Sequence, residues 1–254
     1  MSREIELEVE VPGTVEEVWE TIATGPGITS WFTPMTVEPR EGGEVVMDFG
    51  DYGTETSTVR AWEPPHRVVF EGSGDHALAY EWLVEARDGG SCVVRLVNSG
   101  FGDGDDWDEQ YDGMSEGWRI FLQNLRLQLT HFRGRRARTS IPMAMLPGPR
   151  DAAWTTLCEA IGVPPRLDVG DHVEAGAATP GLSGTVESTM ATDAAKTALL
   201  VLDGGVGTAF ISIEGGGGDD VAGSLYLYFY DEDAAAAGPA WEEWMRSTFT
   251  PVAS

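Results

Sequence analysis

Residues 113–132 read GMSEGWRIFLQNLRLQLTHF, the longest run in the chain with one unbroken pattern. Met114, Trp118, Phe121, Leu122, Leu125, Leu129 and Phe132 recur at intervals of three or four. On a helix they form one wide apolar stripe, while Arg119, Gln123, Arg126 and Arg133 take the other side. Gly134 makes a natural end. So broad a stripe needs an apolar surface of matching breadth, and the chain upstream supplies one.

Residues 3–11, REIELEVEV, alternate Ile5, Leu7, Val9 and Val11 with four glutamates, the pattern of a half-buried strand. Pro12-Gly13 turns the chain. Thr14, with Glu17 three residues on, is a capping box opening a helix over Val15, Val18, Trp19 and Ile22. Gly25-Pro26-Gly27 is expected to end that helix, and ITSWFTP to add a short helix or turn before Pro34. Strand-like runs follow: EVVMDFG from Glu44, TSTVRAW from Thr56, HRVVFEG from His66, LAYEWLVEAR from Leu78 and SCVVRLVNS from Ser91. The short glycine and proline turns between them imply an antiparallel meander. The acidic segment GFGDGDDWDEQYDG reads as a solvated loop leading into the helix. A long amphipathic helix placed after an antiparallel sheet buries its stripe on that sheet, which gives a two-layer α+β fold.

The second half echoes the first. LPGPRDAAW, Leu146 to Trp154, keeps the proline, glycine and tryptophan spacing of VPGTVEEVW, Val11 to Trp19, and Trp154, Leu157, Cys158 and Ile161 continue the stripe. Strand-like runs DHVEA, LSGTVESTM, TALLVLDG, VGTAFISIE and AGSLYLYFY then precede a short helix, GPAWEEWMRSTF. Two copies of one fold are expected, a domain over residues 1–136 and a smaller, worn copy over 137–254, with chance recurrence of Pro-Gly before a helix as the alternative.

Composition narrows the function classes. With 254 residues and 42% hydrophobic content the chain can build real cores. The 42 acidic and 16 basic residues give a formal charge of −26. Such a surface repels nucleic acid and anionic head groups, so neither is an expected partner. Cys92 and Cys158 stand alone, giving no disulfide framework or paired metal knuckle. No leader-like start and no run of about 20 apolar residues is present, so a soluble cytoplasmic protein without a membrane span is expected.

Few constellations carry chemistry. His66, His76, His131 and His172 fall in separate elements without ligand spacing, and no metal is expected. An EF-hand frame begun at Asp103 fails, with Trp107 at its fifth position and Asp108 where glycine is needed. Arg133 to Arg138, RGRRAR, suits a helix C-terminus or the acidic face of the other half, with an RNA or phosphate site as the sharper alternative. The glycine runs fit no phosphate-cradle frame, and no serine lies in a nucleophile elbow. Enzyme chemistry would need an acid or base beside a sheet cavity, such as His66, Asp48, Glu81 or Tyr80; none stands out, so no catalytic residue is assigned.

The segments VPGTVEEVWETI, SWFTP, GGEVVMDFG, VRAWEPPHRVVFEG and GFG…GMSEGWRIFLQNLRLQL, with Gly117-Trp118 and the spaced leucines, resemble the SRPBCC (START-like, helix-grip) superfamily. Within it they are similar to homologues of the activator of the ninety-kilodalton heat-shock protein's ATPase. The resemblance spans nearly all of residues 3–134 and is faint beyond. It implies a sheet gripping the long helix around an apolar cavity that takes a small molecule or lipid without catalysis or cofactor. A chaperone-binding module and a polyketide-cyclase-like enzyme are the rival functions it suggests. The aromatic surplus agrees with a cavity. Expected lining residues are Trp31, Phe32, Met35, Met47, Phe49, Tyr80, Trp82, Trp118, Phe121 and Leu125. Strand parity sets Leu78, Tyr80, Trp82 and Val84 on one face, and Val45, Met47 and Phe49 likewise, but does not prove that both face inward. A packed core without a void is the competing expectation.

Overall fold

Alternating side chains decide the first sheet. In β1 (Arg3–Pro12) Ile5, Leu7 and Val11 are buried while Glu4, Glu6, Glu8 and Glu10 are exposed. The computed structural model describes residues 3–49, 53–74, 77–102, 105–193, 195–215 and 220–249, apart from the side chains of residues 105, 106, 108 and 109. His76 and Asp103, weighed above, lie outside the described residues. The chain divides into two compact units, Met1–Arg136 and Ala137–Ser254.

In the first unit α1 (Val15–Ala23) and α2 (Gly25–Thr29) follow β1. Then come β2 (Met35–Val37), β3 (Glu44–Asp48), β4 (Thr54–Glu63), β5 (Arg67–Glu71), β6 (Ala79–Arg87), β7 (Ser91–Phe101) and the long α3 (Asp105–His131). The strands form one antiparallel sheet in the order β1-β7-β6-β5-β4-β3-β2, so the first strand closes on the last. The capping box at α1 forms as its residues dictate: Glu17 N–H donates to Thr14 Oγ1 at 3.3 Å, and Thr14 N–H to Glu17 Oε2 at 2.9 Å. α3 lies along β1 and buries Trp118, Leu122, Leu125 and Leu129 in a core shared with Val18, Ile22, Val94 and Leu96.

The second unit again runs from strand to helix to meander to closing helix, with seven strands and three α-helices among the described residues, as in the first. β8 (Arg138–Ser140) and β9 (Met143–Pro147) both pair with β14 (Asp220–Phe229), as β1 pairs with β7. α4 (Arg150–Ile161) follows, then β10 (His172–Glu174), β11 (Ser183–Ala191), β12 (Ala195–Leu202) and β13 (Gly207–Glu214), an antiparallel meander ending in β14. Short α5 (Glu232–Ala235) and α6 (Ala237–Thr248) close the chain. A separate core gathers Trp154, Leu157, Ile161, Leu200, Leu225 and Trp241. The register matches as well as the order: Pro12 faces Ser91, the first residue of β7, and Pro147 faces Asp220, the first residue of β14.

Three expectations need correction. Gly25-Pro26-Gly27 begins α2 instead of merely ending α1, because proline fits the first turn of a helix, where its missing N–H costs nothing. The acidic stretch from Asp105 is helical backbone, the first turns of α3, since acidic residues are favoured at the positive end of the helix dipole. A three-residue strand, β2, adds an edge that no run of apolar residues announces.

Candidate functional site

Between α3 and the sheet lies a cavity of about 230 Å³. Nine of the ten expected residues line it: Trp31, Phe32, Met35, Met47, Phe49, Tyr80, Trp82, Trp118 and Phe121. Leu125 does not; fully buried, it sits farther along α3 in solid core. Tyr80 and Trp82 from β6 and Val45, Met47 and Phe49 at β3 face the same space, whereas Leu78 and Val84, of the same parity as Tyr80, do not line it. Further lining comes from Ile28, Glu55, Ser57, Phe70, Met114 and Gly117. Met114, Gly117, Trp118 and Phe121 follow the three-and-four spacing that puts them on one face of α3.

The aromatic wall has defined geometry. Phe32 stacks on Trp118 with centroids 4.8 Å apart and meets Phe121 edge-on at 4.7 Å. Trp82 packs edge-to-face on both Trp31 and Trp118, at 5.6 and 5.5 Å. Trp31 is fixed at two points: its indole N–H donates to Thr21 O at 3.1 Å, and its carbonyl accepts from Asn124 Nδ2 at 2.8 Å. Asn124 is wholly buried, so this bond ties α3 to the segment after α2. Thr29 Oγ1 accepts from Met35 N–H at 2.9 Å, and Asp48 N–H donates to Pro34 O at 2.9 Å, holding the loop that carries Phe32. Asn124 interrupts no periodicity, so its anchoring role leaves no signal in the sequence.

Electrostatically the cavity is sparse. Among the described residues its ionisable lining groups are Tyr80 and Glu55. Burial, reinforced by the Glu55 carboxylate, pushes the Tyr80 phenol up to about 12. Glu55 is exposed and stands where the cavity meets solvent. The other acid–base candidates point elsewhere: His66 and Asp48 are exposed, and Glu81 is engaged by Arg67 at 2.5 Å; none of the three lines the cavity.

Groups outside the cavity have structural partners. Cys92 and Cys158 are free and buried; desolvation raises both thiols, that of Cys158 to about 12. Arg133 and Arg136 reach Glu17 and Glu20 of α1 at 3.7 and 3.4 Å, and Arg133 Nε donates to Leu129 O at 3.3 Å, so these cations serve the end of α3 within their own unit. Ser183, His172 and Asp203 meet on an exposed surface, but Ser183 donates directly to Asp203 Oδ2 at 2.5 Å. His172 meets both with the same nitrogen, Nε2, at 2.8 Å from Asp203 Oδ2 and 3.5 Å from Ser183 Oγ, so it does not bridge them through its two ring nitrogens as a triad base does. In the second unit a cavity of about 260 Å³ is bordered by Trp154, Arg166, Leu167, Met190 and Lys196. Its cations are engaged: Lys196 Nζ lies 5.2 Å above the Trp154 ring and 3.5 Å from Asp151, and Arg166 pairs with Asp168 at 3.0 Å. Among the described residues no cluster of His, Cys, Asp or Glu is placed to hold a metal, and no helix is long and apolar enough to cross a membrane.

Residues 12–129 match the family described as activator of Hsp90 ATPase homolog 1-like protein, a little under half of the chain. No curated protein matches. Among solved structures, a protein from Mesorhizobium loti is 20% identical with a TM-score of 0.46, over 51% of this chain and 98% of its own. The Aha1 dimer from Colwellia psychrerythraea is 16% identical with a TM-score of 0.43, over 50% of this chain and 96% of its own. DynU16, a protein of the dynemicin biosynthetic locus, is 17% identical with a TM-score of 0.45, over 96% of this chain and 98% of its own.

Proposed function

We propose that the first unit, whose residues 12–129 form a domain of the activator of Hsp90 ATPase homolog 1-like family, is a non-catalytic receptor for a compact apolar molecule. The observation that carries this reading is the cavity of about 230 Å³ walled by Trp31, Phe32, Trp82, Trp118 and Phe121. Small-molecule sites are concave, mostly apolar and largely preformed. An apolar cavity of about 150 Å³ is known to take up benzene, so this larger one suits a molecule of about two rings better than a long acyl chain. Non-catalysis is supported by the lining: among the described residues the ionisable groups there are a solvent-exposed carboxylate and a phenol that holds its proton to about pH 12, a poor base near neutrality.

Gly117 provides the test. A Cβ built there meets nothing within 4 Å, and the position lines the cavity. Native mass spectrometry and thermal shift against bicyclic aromatics should show one ligand per chain and a raised Tm. Gly117→Leu should keep the fold and lose the ligand. Undiminished binding by that variant would move the site elsewhere.

The family match favours a second reading, recognition of a chaperone. Stimulation of a cognate Hsp90 ATPase by the protein, retained in Gly117→Leu, would support it over the cavity. Without stimulation, the receptor reading stands.

A further inference from the structure

Three polar side chains are set into the apolar wall: Glu55, Ser57 and Tyr80. Glu55 stands opposite Met47, and Ser57 opposite Val45, across the β3–β4 ladder, so both share the cavity face. Tyr80 enters from β6. Among the described residues none of these three side chains has a hydrogen-bond or ion-pair partner. Asn98, directly across from Tyr80 on β7, is fully buried, and its Oδ1 also lacks a partner. A hydroxyl that faces the cavity without a protein partner is free to donate to a polar atom that a bound molecule brings. Among the described residues no lysine, arginine or histidine lines the cavity to balance Glu55.

We propose that the cavity selects an uncharged or cationic aromatic molecule bearing an acceptor oxygen, such as an aryl ketone or ether, and rejects organic carboxylates. The proposal rests on the receptor reading above and narrows it. The Tyr80 hydroxyl donates to the ligand's oxygen. The rings of Phe32, Trp118 and Phe121 offer faces and edges to an aromatic body, which packs on them in offset or edge-on contact. At the rim Glu55 repels an anion and attracts an ammonium or a hydroxyl donor. A carboxylate entering here would leave water for an apolar wall and gain no countercharge. The formal charge of −26 acts in the same direction at longer range.

Calorimetric titration of the full chain at neutral pH with naphthalene, acetylnaphthalene, naphthylmethylammonium and naphthoate tests this. Acetylnaphthalene and the ammonium should bind at least about tenfold more tightly than naphthoate, the scale of one like-charge contact at a solvated rim. Tyr80→Phe should weaken acetylnaphthalene by roughly fivefold, the worth of one hydrogen bond, while leaving naphthalene unchanged. Glu55→Gln should weaken the ammonium and strengthen naphthoate, opposite signs that a general loss of fold cannot produce. Naphthoate binding as tightly as the ketone, or a Tyr80→Phe variant indifferent to the ketone, overturns the proposal and leaves the receptor reading in place. If no member binds, naphthalene included, both fall.

Discussion

Gly117 and Trp118 are neighbours in the chain with opposite effects on the same space. Trp118, 7% exposed, touches Phe32, Tyr80, Trp82 and Phe121. Its truncation to alanine should cost about 3 to 5 kcal/mol, as large-to-small changes at buried aromatics do, measurable by denaturant unfolding. Gly117 keeps the space open at the expense of helix propensity. Gly117→Ala should therefore raise stability by up to about 1 kcal/mol, since the added methyl meets no neighbour within 4 Å. A lower Tm in that variant would show that the helix has no room there. Tyr80 gives a spectroscopic test. Its phenol is held above its ordinary value of 10.0, to about 12, first by burial and then by Glu55. The folded state thus retains the proton longer than the unfolded state, and this contribution to stability is complete below pH 10 and lost as pH rises towards 12. Ultraviolet titration of Tyr80→Phe should lose one late-ionising phenol; losing one that ionises normally would contradict the burial. At this scale the sequence was legible for large apolar side chains, whose parity and spacing point them inward. It was silent on Gly117, Glu55 and Ser57, because a small or polar residue that borders a void does so only through what surrounds it.

Elements show a similar division. The long helix and six of the seven strands of the first sheet, β1 and β3 to β7, follow from the sequence pattern, and the capping box fixes the start of α1 to the residue. What the pattern hides are contacts that tie one element to another. Asn124 sits amid the leucines of α3 yet is fully buried, spent on the Trp31 carbonyl. Asn124→Ala leaves that buried oxygen without this donor, and the expected cost is about 1 to 3 kcal/mol. Because Trp31 walls the cavity, the same variant should weaken any ligand held there; unfolding and calorimetry on one sample report both. A stability loss with undiminished affinity would confine Asn124 to the core. β2 and the early start of α3 escaped the sequence for different reasons. β2 is three residues paired to β3, a strand only by virtue of its neighbour. The acidic start of α3 lacks an apolar stripe and looks like loop unless the helix dipole is considered.

Across the whole chain, two separate cores and one shared register invite the reading of the second unit as a shortened copy. Pro-Gly ends the strand before the first helix in both, that helix buries a tryptophan in both, Trp19 and Trp154, and a long helix of 27 residues is answered by one of 12. The charge belongs to the whole chain too. With 42 acidic against 16 basic residues, most carboxylates have no cation to pair with, so mutual repulsion outweighs the exposed ion pairs, each worth about 0 to 1 kcal/mol. Salt weakens both, and the net sign follows the larger. At about 0.01 M ionic strength the screening length is ~30 Å, comparable to a domain, whereas at about 0.15 M it is ~8 Å and only near neighbours interact. Tm should accordingly rise between those two conditions, and rise equally with sodium chloride and potassium chloride if screening rather than ion binding is the cause. A Tm that falls with salt would mean that local pairs such as Arg67–Glu81 and Arg95–Glu8 govern stability instead.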